Sequence, residues 1–195
     1  MFKAWARQQT GRQGFTIVEL LIVIVIIAIL AAITIVAFRG VQSRARDSSR
    51  TSAVRQIQKS LELYRQQYGR YPAHIGAGTN VPVGFTGVWG TSYSYSVATD
   101  DSWLRNLTNE GTVKTAPLDP TNDNTHYFAY WSSGLTGLGK CTEPFYVLTA
   151  VGYETTANIP SDSAQLTCTL GGTTANWTTS SVRAVFSNIT TPPDP

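Results

Sequence analysis

Apolar residues fill residues 15–38 almost without a break, then thin to every third or fourth position up to Tyr68, then gather in short runs separated by glycine, serine and threonine. The first segment is 24 residues long and Glu19 is its only charge. As a helix rising ~1.5 Å per residue it spans ~36 Å, enough to cross a hydrocarbon core of ~30 Å with some tilt. A cleaved secretory signal has a core of ~7–15 apolar residues closed by a small-residue A-x-A site. Here residues 20–33 are already 14 unbroken apolar residues, and Ala28, Ala31, Ala32 and Ala37 are never two apart. A retained anchor is therefore expected.

Between Phe15 and Tyr68 the chain has no proline and one glycine, Gly40, so the helix is predicted to continue until Gly69 and Pro72 stop it. Val54, Ile57, Leu61, Tyr64 and Tyr68 step by 3, 4, 3 and 4 and share one helix face. That face is expected to carry a sheet. A free coiled-coil seam would repeat over three or more heptads, whereas this pattern fades before Val54. Strands are expected at 127–132 and 145–152, with 181–187 a third candidate. Residues 74–102, holding Gly76, Gly78, Gly84, Gly87 and Gly90, read as a long loop. The Pro-rich 190–195 cannot form a core element. The fold class is α+β: a long N-terminal helix, with a membrane half and an exported half, packed on a small antiparallel β-sheet.

Charge divides the chain unevenly. The formal +3 is carried by Lys3, Arg7 and Arg12 ahead of the apolar run, and without them the remainder is neutral. Residues 39–70 carry +6 and residues 71–195 carry −5. Positive residues flank both ends of the span, with Arg39, Arg44, Arg46, Arg50 and Arg55 on the far side, so charge counting alone does not orient it.

The start of the run has its own pattern. Thr16-x-x-Glu19 fits a capping box, in which hydroxyl and carboxylate satisfy free amide donors at a helix start. A carboxylate carried to a bilayer centre costs roughly 2.5–3.5 kcal/mol and favours a site with a positive partner. Both roles are open to Glu19. The whole string Gly14-Phe15-Thr16-Ile17-Val18-Glu19-Leu20-Leu21 resembles the signal of type IV prepilins and type II secretion pseudopilins. So does residues 61–72, where a Leu-x-Leu-Tyr stretch is followed by Gly69-x-Tyr71-Pro72. Trp103-Leu104, Pro117-Leu118-Asp119-Pro120 and Tyr127-Phe128-Ala129-Tyr130 resemble that family more loosely.

The resemblance implies cleavage between Gly14 and Phe15, N-methylation of Phe15, and a role for Glu19 in assembly opposite the amine of a neighbouring subunit. It implies these segments: a leader at 1–14, a transmembrane and polymerisation helix at 15–38, the exported half of the helix at 39–71, a β-rich globular domain at 72–189 and a tail at 190–195. The expected function is a structural subunit of a type IV pilus, major or minor. A type II secretion pseudopilin is the alternative within the family, and a membrane-anchored binding module that never polymerises is the alternative outside it. Implied partners are the prepilin peptidase/methyltransferase, other copies of the chain and related pilins, an inner-membrane assembly platform and membrane lipid. The implied location is the cytoplasmic membrane, N-terminus inside, and then a filament. Family pilins often have a helix-breaking proline where this chain has Val36, so Gly40 is the nearest weak point.

Cys141 and Cys168 are the only cysteines. In an exported domain they are expected to form a disulfide, closing a 28-residue loop and contributing on the order of 3 kcal/mol. No CxxC or histidine cluster points to a metal or redox role. His74 and His126 are the only histidines, and neither lies in an HExxH or triad pattern. Asp119, Asp123 and His126 are spaced for a metal, though a polar turn accounts for them more simply. No enzymatic activity and no cofactor are expected. The arginines of 39–55 would suit nucleic acid, but basic residues beside a membrane helix are expected to meet lipid headgroups and to neutralise acidic groups in a filament. Asn106, Asn176 and Asn188 lie in N-x-[ST] triplets that leave glycosylation open.

Overall fold

The computed structural model describes residues 14–75, 85, 87, 93–98, 102–133, 143–162, 166–170 and 173–189, without the side chains of 166–170 and 173–176. The chain falls into two compact units, Met1–Val41 and Gln42–Pro195. The long helix α1 (Ile17–Tyr68) begins in the first and ends in the second.

In the first unit the large apolar side chains are exposed, from 50% at Val23 to 90% at Phe15. No described residue covers them, and the helix has the length and composition to cross a membrane. Thr34 sits inside this stretch without an unpaired hydroxyl, because its Oγ1 donates to Leu30 O at 2.7 Å.

In the second unit α1 buries Val54, Ile57, Leu61 and Tyr64 completely. Tyr68, the fifth member of the expected stripe, is 37% exposed and lies against the Tyr64 ring, with centroids 4.5 Å apart. The cause is the end of the helix. Gly69 adopts φ +70° and donates its N–H to Arg65 O at 2.8 Å, the left-handed cap that a Cβ disfavours. The chain then swings back so that Tyr71 fills the core. Tyr130 Oη and Ser132 Oγ both donate to Pro72 O, at 2.7 and 2.8 Å, fastening this exit to the sheet.

That sheet is antiparallel, in the order β1 (Ser94–Tyr95), β2 (Tyr127–Ser132), β3 (Tyr146–Val151), β6 (Arg183–Phe186). The last three lie within two residues of the expected strands. Phe128, Tyr130, Tyr146, Leu148, Ala150, Ala184 and Phe186 form one core with α1. Tyr127, Ala129, Val147 and Val185 join Tyr93, Tyr95, Phe145 and Trp177 in a second core on the opposite face. Because both faces are covered, the strands are nearly continuous apolar runs rather than alternating ones.

Several elements were not foreseen. β1 lies inside the stretch read as a loop, and β4 (Leu166–Leu170) and β5 (Thr173–Trp177) pair as a separate hairpin. The short α2 (Arg105–Asn109), with the turn before it, places Trp103, Leu104 and Leu107 in the core. The disulfide expected between Cys141 and Cys168 lies outside the described residues, as do the leader before Gly14, the tail 190–195 and the Asn176 side chain.

Candidate functional site

The predicted site residues Gly14, Phe15 and Glu19 sit together where α1 begins. Thr16 and Glu19 form a reciprocal cap: Glu19 Oε2 accepts from Thr16 N at 2.9 Å and Thr16 Oγ1 at 2.8 Å, while Glu19 N donates to Thr16 Oγ1 at 3.2 Å. Glu19 Oε1 has no hydrogen bond among the described residues. Phe15 is the most exposed large apolar side chain here, at 90%. A Cβ built on Gly14 would meet nothing within 4 Å. Nothing described within the chain therefore demands glycine at 14 or hides the Phe15 ring. Gly14, Phe15, Thr16 and Glu19 line one open hollow of about 290 Å³.

The arginines beyond residue 41 are arranged otherwise than expected. Arg50 is fully buried and bridges two carboxylates: Nη1 donates to Asp47 Oδ1 at 2.7 Å, while Nε and Nη2 donate to Asp119. Burial acts to lower its pKa, and the hydrogen bond and charge of Asp119 outweigh that and raise it. Asp47 also receives Glu154 N, Thr155 N and Asn158 Nδ2, and Asp119 receives Thr121 N and Asn122 N. Arg46 forms a two-point ion pair with Glu154, and Arg55 pairs with Asp162. The hydrogen bond from Arg46 holds the Glu154 pKa down at about 2. The basic segment is expected from sequence to meet lipid headgroups and acidic groups in a filament; within their own unit Arg46, Arg50 and Arg55 already hold carboxylates. The acidic surplus of 71–195 folds back onto the basic surplus of 39–70. The opposite charge balance was the signal in the sequence, but the partners lie 69 to 108 positions away.

The metal-like spacing of Asp119, Asp123 and His126 does not gather. Asp119 is taken by Arg50, whereas Asp123 Oδ1 closes a local turn by accepting from Thr125 N, Thr125 Oγ1 and His126 N within 2.8 Å. Burial acts to raise the Asp123 pKa, but these bonds dominate and hold it well below the usual carboxylate range. Among the described residues no three metal-ligating side chains cluster. His74 is half-buried against Trp131, with ring centroids 5.4 Å apart, and burial lowers its pKa. Asn188 accepts from Tyr146 N and donates to Pro144 O, and Asn106 donates to Ala73 O, so both carboxamides serve the fold.

Residues 10–35 match the family model described as the prokaryotic N-terminal methylation motif. The chain is 32% identical over 114 residues to the type IV wide pilus major component PilA4 of Thermus thermophilus, covering 53% of this chain and 87% of that protein. It is 31% identical over 65 residues to type II secretion system core protein G of Aeromonas hydrophila, covering 33% of this chain and 46% of that protein. No solved structure gives a significant match. The exposed apolar helix with its capped carboxylate, the α+β second unit and these likenesses agree, and the chain belongs to the type IV pilin and type II secretion pseudopilin family.

Proposed function

We propose that this chain is a structural subunit of a type IV pilus, held in the membrane by residues 15–38 and polymerised through the same helix after its leader is removed. The observation that carries this reading is the apolar first unit: a helix whose large side chains are at least half exposed and which opens on Gly14-Phe15 and a half-used Glu19 carboxylate. Such a surface needs lipid before assembly and other helices after it. The greater coverage of the pilin relative, 87% against 46% of the secretion protein, favours the pilus over the pseudopilus. A binding module that stays monomeric leaves the spacing of Gly14, Phe15 and Glu19 without a purpose.

In this reading a prepilin peptidase/methyltransferase cuts between Gly14 and Phe15 and methylates the new amine. The Glu19 carboxylate then receives the amine of a neighbouring copy at the inner-membrane assembly platform. Gly14 serves that enzyme, since a Cβ there has free space within the described chain. The test is the mass of the N-terminal peptide from sheared filaments. A start at N-methyl-Phe15 is expected, together with loss of cleavage in Gly14→Val. An intact Met1 terminus in filaments, or normal cleavage of Gly14→Val, would overturn the reading.

A further inference from the structure

Three of the arginines in residues 44–55 are neutralised within their own unit, and one is not. Arg46, Arg50 and Arg55 each hold a carboxylate, whereas Arg44 is exposed and has no hydrogen-bond or ion-pair partner among the described residues. It lines an open groove of about 450 Å³ with Ser48, Thr51, Ser52 and Asn158. Residues 44, 48, 51 and 52 recur at helical spacing along one side of α1. Asp47 also borders the groove, but its two oxygens are occupied by Arg50, Asn158 and two backbone amides. The groove thus offers an unspent guanidinium flanked by hydroxyls, which suits a carboxylate.

The acidic side chains show the complementary exception. Asp47, Glu62, Asp119, Asp123, Glu154 and Asp162 all accept hydrogen bonds within the unit, and Glu110 lies 3.9 Å from the Arg70 guanidinium. Glu143 is exposed and reaches no hydrogen-bond or ion-pair partner among the described residues, and it lies near enough to Arg65 for its charge to act on that guanidinium. The backbone that follows it is held to the sheet, because Pro144 O accepts from Asn188 and Phe145 N donates to Ser133 Oγ. Arg65 stands in the last turn of α1 and Arg44 near the start of the helix in this unit. At ~1.5 Å per residue the two levels are ~30 Å apart along the axis. Glu143 and Arg44 of one subunit therefore cannot meet each other.

We propose that Glu143 of one copy seats in the Arg44 groove of another, a head-to-tail contact between the two ends of the exported unit. Two different patches meeting in this way repeat from copy to copy, and where the rotation between copies does not close a ring they build the open fibre that a filament requires. This rests on the polymerising-subunit reading above and identifies a contact within it outside the membrane helix.

The test is charge exchange in the full chain, with filament yield and membrane abundance of the subunit measured together. Arg44→Glu and Glu143→Arg should each lower yield by about ten-fold or more at unchanged abundance, since like charges then face each other. The double exchange should restore filaments. In Arg44→Lys filaments, a zero-length carbodiimide should join the amine at position 44 to Glu143 of a different copy. Wild-type yields in both single variants, or no recovery in the double variant, would overturn the pairing while leaving the pilin reading intact. An effect of Arg44→Glu without one of Glu143→Arg would do the same and assign the groove to another anion, such as lipid phosphate. If the wild-type chain makes no filaments, the pilin reading fails first.

Discussion

Arg50 carries more of the second unit than its place in a row of surface-like arginines suggests. It is fully buried between Asp47 and Asp119, with the Tyr153 ring 5.7 Å from its guanidinium carbon. A buried ion pair gains little over well-packed apolar groups, but removing one partner leaves the other charge stranded. Arg50→Met should therefore destabilise the unit by about 3–5 kcal/mol, because two carboxylates lose their only charged donor among the described residues. Denaturant unfolding followed by tryptophan fluorescence of the full chain in detergent will measure it, and a loss below about 1 kcal/mol would contradict the role assigned here. Glu154 gives a pH-dependent counterpart. Its pKa is held at about 2 against an ordinary 4.5, so the folded state prefers the ionised form. Stability from this group is present above pH 4.5 and lost as pH falls through about 2. The melting temperature of wild type should exceed that of Glu154→Gln at pH 6 and converge with it at the acid end. A difference that instead widened toward low pH would reverse the sign.

At the scale of elements, the end of α1 decides how the sheet is presented to it. Gly69 at φ +70° turns the chain, Tyr71 enters the core, and Pro72 O is held by β2 through two hydroxyls. A Cβ at Gly69 would meet nothing within 4 Å, so the cost of substitution is backbone strain alone. Gly69→Ala should lose ~1–2 kcal/mol, and Gly69→Asn less, since asparagine tolerates the left-handed region. Denaturation midpoints that leave alanine and asparagine indistinguishable from glycine would show that the turn carries no strain. The cap was legible in the sequence because glycine and proline follow the last apolar turn. The fate of Tyr68 was not: its spacing suits the stripe, but the helix ends beneath it and Tyr71 fills the site instead.

For the whole molecule, the two units separate two properties that one substitution can tell apart. Glu19 lies in the first unit and, among the described residues, makes its hydrogen bonds only with Thr16, so Glu19→Ala leaves the second unit and its ion pairs untouched. Membrane insertion should persist or rise slightly with loss of a charge, while filament number falls, since the proposed cleavage after Gly14 leaves a Phe15 amine that then lacks its partner. Electron microscopy of sheared material, normalised to membrane abundance, gives the answer. Wild-type filament counts would reduce Glu19 to a helix cap.

What the sequence by itself determined is whatever depends on neighbours along the chain. The apolar length of residues 15–38, the Thr16–Glu19 box, the Gly69 cap and the β2 and β3 strands are local patterns, and each appears within a residue or two of where the pattern puts it. What only the tertiary structure decided depends on which distant segments meet. Arg44, Arg46, Arg50 and Arg55 are alike in sequence, yet one is buried, two are paired at the surface and one is unpartnered among the described residues, because Asp119, Glu154 and Asp162 arrive from far along the chain. The second core is of the same kind. Strands apolar on both faces require a second cover, but nothing local says that Tyr93 and Trp177, 84 positions apart, will supply it together.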